Sequence, residues 1–451
     1  MATIQHDFTR GSILRHLITF SGPIMAANLL QTSYQLVDSF WIGNLLGAQA
    51  LGAVAISSVI ATTVLSFVIG MNNAALAILS QQRGRRDDAG LRAYLNAFVV
   101  ILFLIAIALG GAGFATSHFL LEMLGTPADI MAPAQDYLQV TFLGMLFLFG
   151  YNFIATVLRS LGDSKTPLRF VFVAVLLNVF LDPLFISGFE LEIRGAAYAT
   201  VLSQGIAFTY GLVHVLSKKL APLQLPQIPT LPQTRKILRL GIPSGLQMAV
   251  ISGGSAAVMS VVANFGADVV GGFGAAQRLD ALIMLPAQAL GIAVSSMAGQ
   301  NIGRGNWQRV SQVSRVAVLY NLAIMLLFAL GMIAVARPAV QIFISEPPAV
   351  EFGVKYMRMI ALCYPFLGIN FVLNGIVRAS GAMYQVLALN IISFWVLRYP
   401  LTALATSQLD ETGIAVGMGL SFILSSAVAY SYFRFGKWRE LKLFETPVKK
   451  Q

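Results

Sequence analysis

The sequence predicts an all-α integral membrane protein of about twelve transmembrane helices in two six-helix bundles related by a parallel internal repeat. Three observations predict it. Hydrophobic residues make up 57% of the 451-residue chain and charged residues only 11%, whereas soluble domains are about a quarter charged. Apolar runs of about 20 residues or more recur along the chain, each long enough to cross about 30 Å of hydrocarbon. Basic residues collect in alternate loops. Runs this long cross as helices, because barrel strands need only about ten residues and alternate in polarity.

The first span, 16–42, follows the polar, basic segment "MATIQHDFTRGSILRH". It lacks the small-residue cleavage site of a secretory signal and is read as a helix of the protein. Inside it lie Pro23, in "SGPIM", and Asp38, in "LLQTSYQLVDSFWIG", with Tyr34 one turn earlier on the same face. The second span, 50–80, contains Met71 and ends in "ILSQQRGRRD". The third covers 92–116, and the fourth, 134–160, contains Asn152 and ends in "VLRSLGD". Asn178 and Asp182 stand four apart in "LLNVFLDPLF" of the fifth span, 166–187. Thr200 lies in "GAAYAT" of the sixth, 194–217. A Pro-rich, amphipathic link, 218–235, separates these from spans seven to twelve at 236–262, 268–300, 309–337, 353–379, 383–406 and 412–435. The expected domains are therefore an N-terminal lobe, 1–217, that link on the cytoplasmic surface, and a C-terminal lobe, 236–451.

The net charge of +11 reports topology rather than a nucleic-acid partner. Arg83, Arg85, Arg86 and Arg92 follow the second span, Arg159 and Lys165 the fourth, and Lys218, Lys219, Arg235, Lys236 and Arg239 the sixth. Arg304 and Arg309 follow the eighth, Arg378 the tenth, and Lys437, Arg439 and Lys442 the twelfth. The loops between, such as "NLLGAQA" and "TSQLDETG", have no Lys or Arg, and Arg194, Arg337, Lys355 and Arg358 near outer ends are too few to invert the pattern. The positive-inside rule then puts both termini in the cytoplasm. The single cysteine, Cys363, reads as a small buried hydrophobe and says nothing of redox compartment.

The halves repeat at a nearly constant offset. Gln81 and Gly84 match Gln300 and Gly303, Arg159 and Gly162 match Arg378 and Gly381, Pro23 matches Pro243, and Gly195 matches Gly413. Positions where the repeat breaks are therefore informative. Asp38 aligns with Val258, Asn178 and Asp182 with Trp395 and Tyr399, and Thr200 with Met418. A buried polar set thus belongs to the N-terminal half alone.

A carboxylate at mid-bilayer costs about 3 kcal/mol on insertion scales, so such residues face the bundle interior and mark ion or substrate paths. Asp38, Asn178, Asp182 and Thr200 are accordingly the expected cation-coupling set, with Tyr34, Met71 and Asn152 as cavity candidates. The bland alternative is that Asn178 and Thr200 merely satisfy two helix-packing carboxylates. Burial and a second carboxylate would let this set take and release a proton. The same oxygens, with a backbone carbonyl near Ala196, would suit Na⁺. No other metal and no cofactor are expected. Pro23, about four turns before Asp38, removes a helix hydrogen bond and is the expected hinge of the first span, and Pro183 frees a carbonyl beside Asp182. In the second half, Arg278 and Asp280 in "GAAQRLDALIM" read as charges neutralised by each other or by a neighbour, or as a gate, and Arg398 in the eleventh span is open to the same readings. Met248, Met259 and Met284 read as core filler or an adaptable cavity lining.

Two six-helix halves, "GPIM", "VDSFWIG", "RSLGDSKTP", "NVFLDPLF" and "GAAYAT" resemble the multidrug and toxic compound extrusion (MATE) family over essentially the whole chain. The likeness is to the branch that includes DNA-damage-inducible protein F. It implies an antiporter that exports cationic amphiphilic drugs in exchange for H⁺, or for Na⁺ in its place. Residue by residue, it implies an N-lobe cation site at Asp38, Asn178, Asp182 and Thr200, with Tyr34 its neighbour and Pro23 the bending proline. The other bacterial branch places acidic residues in the seventh and tenth helices, and here neither span has one. The expectation is a monomer in the lipid bilayer of the bacterial inner membrane, with small-molecule partners and no nucleic acid. A lipid or polysaccharide flippase shares the plan but calls for a cationic cavity, an intramembrane aspartyl protease lacks its Gly-rich context, and no P-loop is present for ATP.

Overall fold

The computed structural model describes residues 6–444, in which every regular element is helical. The outermost parts of the two expected lobes, 1–5 and 445–451, lie outside the described residues. A 73-residue helical run, α1 (Ile13–Arg85), opens the chain. Straight, it would be roughly 110 Å long at 1.5 Å per residue, several times the hydrocarbon thickness. It is instead divided at Gly47, whose φ of 83° and ψ of −173° lie outside helical space. Gly47 falls between the first and second spans read from the sequence.

There follow α2 (Asp88–Met123), α3 (Ala128–Leu143), α4 (Met145–Ser160), α5 (Lys165–Pro183), a wide π turn (Leu184–Gly188) and α6 (Glu192–Ser217). The second half comprises α7 (Leu231–Ala263), α8 (Ala267–Gly303), α9 (Trp307–Gln341), α10 (Pro347–Ala361) and α11 (Tyr364–Ala379). It closes with α12 (Met383–Ile391), a second π turn (Ile392–Arg398), α13 (Tyr399–Leu409) and α14 (Thr412–Phe435). Among the described residues nine helices are long and apolar enough to cross a membrane, or eleven when the bent pairs α3/α4 and α10/α11 each count as one span. Division of α1 at Gly47 completes the twelve expected.

The fourth and tenth spans are broken rather than continuous, by 50° and 55°. Gly144 makes the first break, and its missing side chain admits Val201 of α6. Pro365 explains the second, since it has no N–H to bond the carbonyl of Ala361.

Backbone conformation repeats as the sequence does. Gly47 and Gly266, Arg86 and Gly305, and Gly162 and Gly381 all have positive φ, and all three pairs share the offset that relates Arg159 to Arg378. Asp87 caps α2 by accepting from the Gly90 amide at 2.8 Å, and its repeat counterpart, Asn306, caps α9 by accepting from Arg309 at 3.1 Å. The duplication is therefore carried by turns and caps, which fix where each helix starts.

Two compact units result: Ala26–Ile242 with the residues before Phe8, and Phe8–Met25 with Pro243 onward. The stretch 8–25, expected in the N-terminal lobe, packs in the second unit. There Phe8, Leu17, Phe20 and Ile24 are fully buried in a core with Leu290, Met297, Val310 and Ile376. Arg309 holds the entry to α1, its guanidinium donating to the carbonyls of Phe8 at 2.9 Å and Gly11 at 2.7 Å. In the first unit aromatic side chains fill glycine notches, Phe142 against Gly113, Phe208 against Gly150 and Phe170 against Gly211, the close approach that helix packing in lipid relies on. In the interlobe link, the amide and carbonyl of Gln227 both bond the Asn96 side chain, at 2.8 and 2.7 Å.

In the second unit α8 and α11 meet where Gly375 lies against the Gly291 carbonyl, so a Cβ at 375 would overlap that oxygen. Gly375→Ala is expected to destabilise the purified protein by about 1–3 kcal/mol. Gly331→Ala, with open space around it, should leave the melting temperature in detergent unchanged or raise it, because Ala favours helix over Gly.

Candidate cation site

The first unit gathers the predicted polar set in one place. Asn178 and Asp182 are fully buried on α5, one turn apart, and the Asn178 amide donates to Asp182 Oδ1 at 2.8 Å. Asp38, on the first arm of α1, is buried with its carboxylate facing Asp182. Thr200, on α6, faces the hydroxyl of Tyr34. Pro183 ends α5, and the wide turn Leu184–Gly188 that follows keeps Asp182 at the last turn of a helix whose Val179 carbonyl has lost its amide partner.

Much of this centre has no partner. Asp38 Oδ1, Asp182 Oδ2, Asn178 Oδ1, Thr200 Oγ1 and the Tyr34 hydroxyl are all buried without a hydrogen bond. Unpaired polar groups in an apolar interior are costly and few, so five in one locus single it out as a candidate site. Among the described residues neither carboxylate forms an ion pair, and no three His, Cys, Asp or Glu side chains converge as a transition-metal site requires. The donor set is two carboxylates with amide and hydroxyl oxygens, which suits a proton or a hard monovalent cation.

One member escaped the sequence reading. Tyr137, on α3, is buried with its hydroxyl facing Asp38 and near Asp182. An aromatic residue in an apolar span reads as core, but the repeat carries a signal, because Tyr137 and Tyr356 are repeat counterparts and each stands two turns before the break of its span.

The other candidates have local contacts of their own. Met71 is fully buried with its sulfur against Gly241, and the Asn152 amide bonds its own helix at the Leu148 carbonyl, 2.8 Å away. Ala196 is fully buried in the regular part of α6, where its carbonyl gives one lone pair to the helix ladder and keeps a second. Pro23 lies within α1 and in the second unit, two residues before the chain passes to the first. Arg278 does not pair with Asp280: it is exposed, its guanidinium 5.6 Å from the centroid of Phe343. Asp280 instead accepts from Tyr364 and Tyr356. Met259 and Met284 pack against the second unit's core.

These features define a multi-pass helical membrane protein of duplicated plan, with an unpaired acidic centre in one repeat. The family model described as MatE matches residues 23–184 and 243–404, one stretch in each half and each beginning at a repeat-related proline. The chain belongs to the MatE family, as its resemblance implies. It is 57% identical over 439 residues to the probable multidrug resistance protein YpnP of Bacillus subtilis, covering 97% of this chain and 99% of that one. It is 28% identical to the probable multidrug resistance protein YoeA of the same organism, covering 96% of each. The fold matches that of an outward-facing multidrug resistance MATE family transporter of the MOP superfamily, with a TM-score of 0.92 at 20% identity, over 98% of this chain and 99% of that one.

Asn178→Ala removes the donor to Asp182 Oδ1. It is expected to destabilise the protein by about 1–3 kcal/mol, seen as a lower melting temperature in detergent. Asn152→Ala, which removes only a bond to its own helix, should shift it by less.

Proposed function

We propose that the chain is a multidrug efflux antiporter, exporting cationic amphiphilic compounds across the bacterial cell membrane by alternating access in exchange for protons. Membership of the MatE family and 57% identity to a probable multidrug resistance protein support the transport class. The observation that carries the coupling is the pairing of Asp38 with Asp182, two buried carboxylates amid unpaired acceptors and without a basic partner. Two negative charges held together away from water repel each other and are poorly solvated, so the centre is stable only with a cation in it. A proton shared by the pair satisfies this at the least cost in volume, and Na⁺ ligated by the two carboxylates, Asn178 Oδ1 and Thr200 Oγ1 is the second reading, favoured by the two neutral acceptors. One inward cation at 100 mV carries about 2.3 kcal/mol, enough for roughly a fifty-fold gradient of a neutral substrate.

Coupling follows from α1. The centre's charge changes when the cation leaves, and Asp38 is the one carboxylate on that helix. Pro23, about four turns earlier in the chain, weakens the helix by one hydrogen bond, so release of the cation biases the first arm of α1 between straight and bent forms. Tyr137, Tyr34 and Thr200 orient the pair. The protein works as a monomer in the inner membrane with both termini cytoplasmic.

Dye efflux from proteoliposomes under an imposed pH gradient or an imposed Na⁺ gradient tests the reading. Wild type is expected to respond to the pH gradient, and Asp38→Asn to lose at least ten-fold in rate. A response to Na⁺ alone changes the ion and keeps the site, whereas Asp38→Asn transport equal to wild type under both gradients overturns the coupling. Pro23→Ala, which restores the helix hydrogen bond, is expected to slow efflux several-fold without lowering the amount of protein in the membrane, measured by immunoblot alongside drug resistance.

A further inference from the structure

The second unit holds a buried charged cluster that the proposed exchange does not use. Asp280, on α8, accepts from two tyrosines placed on either side of the α10/α11 break: Tyr356 donates to Oδ2 at 3.4 Å and Tyr364 donates to Oδ1. Arg398 ends the wide turn Ile392–Arg398 and is buried within electrostatic reach of both Asp280 and Tyr356. Its guanidinium carbon lies 3.9 Å from the centroid of Phe394 and 4.8 Å from that of Phe422, and its Nε donates to Ser421 Oγ at 3.4 Å. Other ionisable neighbours are few. Cys363 faces the two tyrosines, Met418 and Ser421 of α14 do not titrate, and Arg278 of α8 turns away to Phe343.

This cluster occupies the place in the second repeat that the cation site occupies in the first. Tyr356 is the repeat counterpart of Tyr137, and Met418, whose sulfur accepts from Tyr356 at 3.4 Å, is that of Thr200. Arg398 directly precedes Tyr399 and Pro400, the counterparts of Asp182 and Pro183, and both positions adjoin a wide turn. The charge differs. The first centre has two carboxylates, unpaired acceptors and no basic group, whereas the second has one carboxylate with both oxygens partnered and a guanidinium of its own.

We propose that Arg398 is a tethered counter-cation, supplying from beyond direct contact with Asp280 the positive charge that a mobile proton or Na⁺ supplies in the first repeat, so that the second repeat keeps a latent cation site held closed by a covalently attached charge. The parallel rests on the proposed reading of the first centre, but the latent site is a property of Asp280, Tyr356, Tyr364 and Arg398 alone. Removal of the guanidinium leaves Asp280 as a buried anion with only neutral donors, and a mobile cation must then enter.

The test uses the full chain carrying Asp38→Asn and Asp182→Asn, so that the first centre contributes no carboxylate, with and without Arg398→Gln. Two readouts need no transport: the infrared band of a protonated carboxylic acid, and thermal unfolding in sodium chloride against choline chloride. The parent should show neither an acid band assignable to Asp280 nor stabilisation by sodium. Arg398→Gln should gain one of them, and a further Asp280→Asn should abolish it. Neither appearing, or the Asp280 band already present in the parent, overturns the proposal. If Arg398→Gln yields no folded protein, Asp280→Asn with Arg398→Gln should restore the yield, because no unpaired charge is left; a double variant no better than the single overturns the proposal. Asp38→Asn transport equal to wild type under both gradients would overturn the antiport reading and leave these binding results standing.

Discussion

Hydrocarbon offers no hydrogen bonds, and this one fact governs the molecule. Every backbone amide and carbonyl at membrane depth must be satisfied within the chain, so all the described regular structure is helical. Hydroxyl groups obey the same demand by bonding their own helices, as Thr32 does to Asn28 at 3.1 Å, Ser33 to Leu29 at 3.0 Å and Thr63 to Val59 at 2.9 Å. Departures from helix then carry meaning. Several occur at a glycine or close to a proline, and the wide turns next to Asp182 and at Arg398 both adjoin a buried charge.

Duplication supplied two copies of one backbone, and divergence acted on their charges. The shared part is visible in left-handed turns and helix caps that recur at one constant offset. Tyrosine is also shared, at 137 and 356, each with its hydroxyl directed at a carboxylate. The carboxylates themselves come from different helices, α1 and α5 in one half and α8 in the other. One copy therefore sets two carboxylates together without a basic group, while the other sets a single carboxylate between two tyrosine hydroxyls and within electrostatic reach of a guanidinium.

Much of this was legible in the sequence, because spans, loop charges and the repeat are all patterns of residue type. The polar set of the first unit was legible for the same reason, since Asp, Asn and Thr stand out against an apolar background. The breaks in the fourth and tenth spans were not, because Gly144 and Pro365 interrupt the backbone without interrupting hydrophobicity. Which neighbour serves Asp280 was left open by the sequence: residues two apart on a helix face different directions, so Arg278 points outward and the nearby guanidinium is Arg398, from the wide turn after α12. The placement of residues 8–25 in the second unit had no sequence signal either. It depends on pockets for Phe8 and Phe20 that exist only once α8, α9 and α11 have packed.

The left-handed turn at residue 86 shows what the chain gives up for charge. Its counterpart, Gly305, adopts positive φ without strain, but Arg86 holds φ at 57° with a full side chain, at a cost of roughly 1–2 kcal/mol. Glycine at 86 would make a more stable protein, and drift toward it is open by a single substitution. The arginine there is exposed and adds to the run Arg83, Arg85 and Arg86 after the second span, the loop charge from which the positive-inside rule reads topology. Backbone preference and loop charge thus ask for different residues at this one position.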